Sequence, residues 1–160
     1  MQGNNKIIEH LNKVLSNELR AIHQYFLHSR MLSDWGLNRF AQEEYEESMD
    51  EMRHADKLIQ RILFLEGLPN MEYMGGVYIA KNPIEILHMD LKLENEAIPD
   101  LKAAILACEK EKDFVSRDML LRILESEEEH ADHLNTQIAL VEKVGDENFL
   151  QTQISLSSST

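Results

Sequence analysis

Glu51-Met-Arg-His-Ala-Asp-Lys-Leu58 returns 76 residues further on as Glu127-Glu-Glu-His-Ala-Asp-His-Leu134. The same offset lays Ile8-Glu9 on Ile84-Glu85, Leu11 on Leu87, Leu15 on Leu91 and Glu18 on Glu94. The chain therefore reads as two weakly similar halves. Each half offers one glutamate, then Glu-x-x-His 33 residues later: Glu18 with Glu51 and His54, Glu94 with Glu127 and His130. In a helix, residues three apart share a face, so each Glu and His of a pair point the same way.

Outward from these stretches the apolar rhythm is helical. Ile7, Ile8, Leu11, Leu15, Leu19, Ile22 and Phe26 recur at spacings of three and four and predict a helix over about 4–34. A second is predicted over about 39–66 through Met52, Leu58, Ile62 and Leu65. A third starts after Asn82 as N-cap, with Pro83 at N1 and Glu85 at N3. Pro99 is expected to kink it rather than end it, since the rhythm resumes at Leu101. A fourth runs over about 114–143 behind Asp113, and a short fifth follows Gly145. The breakers Asp34-Trp35-Gly36 and Gly67-Leu68-Pro69 give connections that are short, long (67–82) and short. This is an all-α four-helix bundle of two antiparallel hairpins joined by one long crossover, with a short fifth C-terminal helix. It forms one domain over residues 1–154, with a frayed tail over 155–160.

Composition narrows the function. With 16 Lys+Arg against 29 Asp+Glu in 160 residues, the net charge is −13, which cannot assemble a nucleic-acid-binding face and suits cationic ligands. The single cysteine, Cys108, excludes a disulfide framework and a Cys-based zinc site, and fits a reducing compartment. No apolar run approaches the ~20 residues of a membrane span, and Met1 to Lys6 carries no signal-peptide core. A cytoplasmic location is expected.

Glu18 lies three residues after Leu15 and four before Ile22, and Glu94 three after Leu91, so both point into the bundle. Four carboxylates and two imidazoles in an apolar core are costly unpaired. Two divalent metals would neutralise them, and this donor set suits iron or manganese. The other reading of the same residues is a pair of solvated faces on which Arg53 and Lys57 screen the glutamates. Met52 sits ~100° from the Glu51 face, on an outer stripe with Tyr45 and Met49, and Leu19, His23 and Phe26 form a similar stripe on the first helix. Two apolar outer stripes call for a partner chain.

Asn17-Glu-Leu19, Gln24-Tyr-Phe-Leu-His28, His54-Ala-Asp-Lys-Leu58, Arg61-Ile-Leu-Phe-Leu-Glu-Gly-Leu-Pro69, Val115-Ser-Arg-Asp118 and Ile123-Leu-Glu-Ser-Glu-Glu-Glu-His130 resemble the bacterioferritins, from Met1 to about Gln153. The resemblance implies a ferritin-like bundle, assembled from dimers into a hollow homo-oligomeric shell of 24 subunits that stores iron. It implies a di-iron ferroxidase centre in each bundle, oxidising Fe2+ with O2 or H2O2 and delivering ferric iron to a mineral core. In the family Glu51 and Glu127 bridge the irons, Glu18 with His54 and Glu94 with His130 complete them, and Tyr25 stands behind the ligands. It implies haem b between two subunits, held axially by Met52 of each, which assists iron release with a small iron-sulfur ferredoxin as electron donor. Met31 and Met49 are rivals for that ligand, and His23 stands where the family usually has Asn. Some members bind a further iron on the inner surface. Its positions read Glu46, Asp50 and Ser126 here, and only Asp50 keeps the family's residue. The alternative function is a non-storing di-iron or di-manganese oxidase or peroxidase of the rubrerythrin or catalase kind; a rubredoxin module is excluded by the one cysteine.

Overall fold

The structure, a computed structural model, describes residues 1–73 and 75–155; of the expected tail, 156–160 lie outside the described residues. Among the described residues five helices follow one another: α1 (Asn5–Asp34), α2 (Asn38–Phe64), α3 (Pro83–Lys110), α4 (Phe114–Val144) and α5 (Asp146–Gln151). The helices α1 and α2 pair as one hairpin and α3 and α4 as the other, with α1 also packed on α3 and a thinner seam between α2 and α4. The chain is the expected all-helical bundle, and α3 runs unbroken through Pro99.

The helix boundaries have local causes. The Asn4 carboxamide accepts the Lys6 N–H, the Asn82 carboxamide the Glu85 N–H at 2.9 Å, and the Asp113 carboxylate the Ser116 N–H at 3.0 Å. Asp113 is also held from the other hairpin. Arg61 of α2 donates to its Oδ1 at 3.0 Å and to Ser116 Oγ at 2.8 Å. Among the described residues no side chain caps the start of α2. Its first N–H groups, on Asn38 and Arg39, donate instead to the carbonyls of Ile154 and Gln153, just beyond α5. At the far end of α2 the sequence offers Gly67 as the breaker, yet the left-handed residue is Glu66, with φ 63°. The Gly67 N–H then reaches back to the Ile62 carbonyl at 2.9 Å and closes the helix.

The core has two apolar ends and a polar middle. One cluster gathers Ile7, Leu11, Leu58, Ile62, Leu101, Leu120 and Ile123. The other gathers Leu32, Phe40, Ile86, Leu87, Leu134 and Phe149. Leu19, expected on the outer stripe, belongs instead to the first cluster and is 9% exposed; the stripe outside α1 is carried by His23 and Phe26. Along α2, α3 and α4 the registers between the two clusters are occupied by Glu51, His54, Glu94, Glu127 and His130. That placement positions the site.

Candidate metal centre

Each main helix brings its ligand candidates to this middle layer. Glu18, Glu51, Glu94 and Glu127 are buried to 2% exposure or less and His130 to 5%, while His54 keeps a side-chain exposure of 13%. Two groups form, in each of which one ligand atom per residue lies within 4.8 Å of the others. The first is Glu18, Glu51, His54 and Glu127. The second is Glu51, Glu94, Glu127 and His130. Glu51 and Glu127 belong to both, so two four-residue groups are built from six residues. His54 Nδ1 stands 3.1 Å from Glu127, 3.5 Å from Glu18 and 3.6 Å from Glu51. His130 Nδ1 stands 3.1 Å from Glu94 and 3.5 Å from Glu47.

Glu18 Oε2, Glu51 Oε2, His54 Nδ1, Glu94 Oε2 and Glu127 Oε1 are buried without a hydrogen-bond partner among the described residues. The 3.1 Å approach of His54 to Glu127 is close but not aligned as a hydrogen bond. Buried polar atoms are nearly always satisfied, so orphans that converge on two points mark where cations fit.

The electrostatics agree. Burial works against a charged His54, but the carboxylates of Glu127 and Glu51 raise it to about 10. Burial likewise opposes charge on His130, and Glu94 raises it to about 10. Burial and then Glu127 push Glu94 up to about 8, and burial and then Glu51 push Glu127 up to about 7. Without metal the cluster holds itself together with protons. A cation entering must displace them.

Tyr25 is fully buried and donates its hydroxyl to Glu94 Oε1, with its ring edge-on to His130 at 5.1 Å. Burial, then the charge of Glu94, hold its phenol well above the usual range, so it stays a donor. Two cavities open beside the histidines. One of about 260 Å³ is lined by His130, Glu43, Glu44, Glu46, Glu47 and Asp50 with His133. The other, of about 350 Å³, is lined by His54, Lys57, Asp118, Met119 and Arg122.

The inner-surface candidates join no ligand group among the described residues. Glu46 is exposed and accepts from Gln42, and Asp50 is paired with Arg53. Met52 lies on the outer face of α2, 49% exposed, and Phe26 of α1 is 42% exposed. The Phe26 and Tyr45 rings lie 6.4 Å apart under the Arg30 guanidinium. His23 Nδ1 lies 2.7 Å from the Tyr73 hydroxyl. Glu44, which is buried, and Glu47, whose carboxylate stands 3.5 Å from His130, were not singled out from the sequence. The signal was present, since Glu44 lies seven residues, two turns, before Glu51 on the same face.

A bundle with this doubled carboxylate–imidazole layer is a ferritin-like protein, and the chain belongs to that family, its residues 8–144 matching the ferritin-like domain. Within the family it falls among the bacterioferritins. It is 46% identical to the bacterioferritin of Brucella melitensis over 94% of each chain. It is 45% identical to a bacterial ferritin of Synechocystis over 97% of this chain and all of that one. With a bacterial ferritin of Pseudomonas aeruginosa it shares 43% over 96% of this chain and the whole of the relative. Among the described residues no helix is long and apolar enough to cross a membrane.

Proposed function

We propose that this protein is an iron-storage ferroxidase. Its substrate is a pair of Fe2+ ions, taken by Glu18 with His54 and by Glu94 with His130, with Glu51 and Glu127 shared between them. The carrying observation is that sharing: two ligand groups within 4.8 Å have exactly two residues, both carboxylates, in common. Four carboxylates balance two divalent ions, and the neutral imidazoles complete the donor set. Each Fe2+ gives one electron, two per pair, to O2 or H2O2, and ferric product passes to a mineral inside a 24-subunit shell. Tyr25 holds Glu94 by one oxygen and leaves the other free for metal. The imidazolium protons are released as metal enters. The names of the relatives, all ferritins or bacterioferritins, favour storage over a non-storing oxidase.

The haem reading rests on Met52. The Met52 side chain is half-exposed, so across a dimer two-fold it and its copy would hold one haem. Bound there, haem b would supply a one-electron couple of raised potential, serving iron release with a small ferredoxin as donor in the cytoplasm. Aerobic addition of Fe2+, followed by the mass and iron content of the product, tests storage. A hollow assembly loading hundreds of irons is expected; a small oligomer that oxidises iron without retaining it would replace this reading with the oxidase. Met52→Leu keeps the volume and removes the sulfur, so haem absorption should be lost while the dimer persists on size-exclusion chromatography.

A further inference from the structure

A second buried polar cluster lies one to two helical turns beyond the centre, outside both ligand groups. Asp90 precedes Glu94 by four residues on α3, and Glu44 precedes Glu51 by seven on α2. Both are buried, to 0% and 3% exposure, as are His28 and Gln24 at 0%. One ligand atom each of His28, Glu44 and Asp90 falls within 4.8 Å of the others.

The hydrogen bonds separate the ligands from the support. The Ala80 N–H donates to His28 Nε2 at 3.2 Å. That nitrogen must be the acceptor, so the ring proton sits on Nδ1, which donates to Asp90 Oδ1 at 3.0 Å. Gln24 Nε2 donates to the same oxygen at 2.9 Å. Both imidazole nitrogens are engaged, and His28 orients Asp90 rather than ligating. Asp90 Oδ2 and Glu44 Oε2 are left buried, without any donor among the described residues.

Charge decides what belongs between them. His28 is neutral in this tautomer, and neither carboxylate is in an ion pair with Lys or Arg among the described residues. A single shared proton would leave one net negative charge in the core, whereas a divalent cation leaves none. Burial beside Asp90 raises Glu44 well above the carboxylate range, so a proton is the competitor. Access exists, because Glu44 forms part of the wall of the 260 Å³ cavity, alongside Glu43, Glu47 and His130. Acidic walls concentrate cations in such a cleft.

We propose that Glu44 and Asp90 form a third cation site, separate from the paired centre, for a divalent metal that prefers oxygen ligands, with water from the cavity completing its shell. The site stands whether or not the paired centre oxidises iron. The probe is Mn2+, a carboxylate-seeking ion, titrated without oxygen into the full-length assembly and soaked into its crystals. The expected result is an anomalous peak between Glu44 and Asp90, and one equivalent per chain fewer for the near-isosteric Glu44→Gln than for the wild type. Glu127→Ala should remove ions from the paired centre and keep this peak. A wild-type crystal without the peak at neutral pH, or a stoichiometry unchanged by Glu44→Gln, overturns the proposal and leaves a proton-sharing pair. The crystal decides even if the variant fails to fold. A peak here with none at the paired centre would sink the ferroxidase reading and sustain this one.

Discussion

The two halves of the repeat bring the same three residues, two glutamates and a histidine, to the centre, yet they do not build the same place. The His54 position keeps 13% side-chain exposure and opens on a cavity whose walls mix Lys57, Arg122 and Asp118. The His130 position has 4% side-chain exposure, carries Tyr25 on its glutamate and Glu47 beside its imidazole, and opens on an acidic cavity. The repeat copies the candidate ligands. Their surroundings come from residues with no counterpart at the 76-residue offset, since Tyr25 falls on Leu101 and Glu47 on Ile123. The second position is therefore the better-held one, and its acidic mouth is the more natural path for a cation.

The largest effect should come from removing what the positions share. Glu127→Ala, or Glu51→Ala, should cost both ions and slow Fe2+ oxidation by more than about 100-fold. Stopped-flow absorbance with anaerobic metal counting checks this; an unchanged rate would show that the positions do not share a ligand. Glu18→Ala and Glu94→Ala should each remove one ion and spare the other.

Next comes pH. Metal-free, His54 and His130 are both raised to about 10, and Glu94 and Glu127 to about 8 and 7. A group raised on folding stabilises fully below its unfolded pKa and loses that contribution as pH rises through the folded value. Metal-free protein should thus weaken from about pH 5 through neutrality to about pH 10. Metal-loaded protein should not. Thermal melts across that range test the difference. At pH 7 metal entry should release about two protons or more per chain, read in weakly buffered solution. An ordinary histidine would have placed metal competition near pH 6.5; the surrounding carboxylates extend it higher.

Tyr25→Phe probes the His130 position alone. It strips one donor from buried Glu94, so metal-free protein should lose about 1–3 kcal/mol, and metal affinity should fall at one position only. Equal losses at both would erase the asymmetry. Smallest is Glu47→Gln, which removes a carboxylate 3.5 Å from His130. With that side chain 30% exposed, less than about 1 kcal/mol is expected, seen as a slight fall in the proton affinity of His130 by NMR titration.

The halves also explain what could be read from the sequence. The convergence of Glu18, Glu51, His54, Glu94, Glu127 and His130 in one buried layer was legible because their spacing coincides with the helical period. The caps at Asn82 and Asp113 were legible because they are local. Leu19 was misplaced because a residue at the border of a helix face faces core or solvent according to its neighbour. The burial of Glu44 was masked by the acids on either side. Gln24, His28 and Asp90 meet only in three dimensions, as does the way residues after α5 receive the first N–H groups of α2.

The Arg61 clasp has a consequence for synthesis. The cap of α4 is an aspartate steadied by an arginine near the end of α2, which closes at Phe64, well before α4 begins at Phe114. At about 5–20 residues per second on the ribosome, the first hairpin has several seconds in which to form. Arg61 then waits on a finished surface, and the last long helix to emerge starts its first turn against a template already in place.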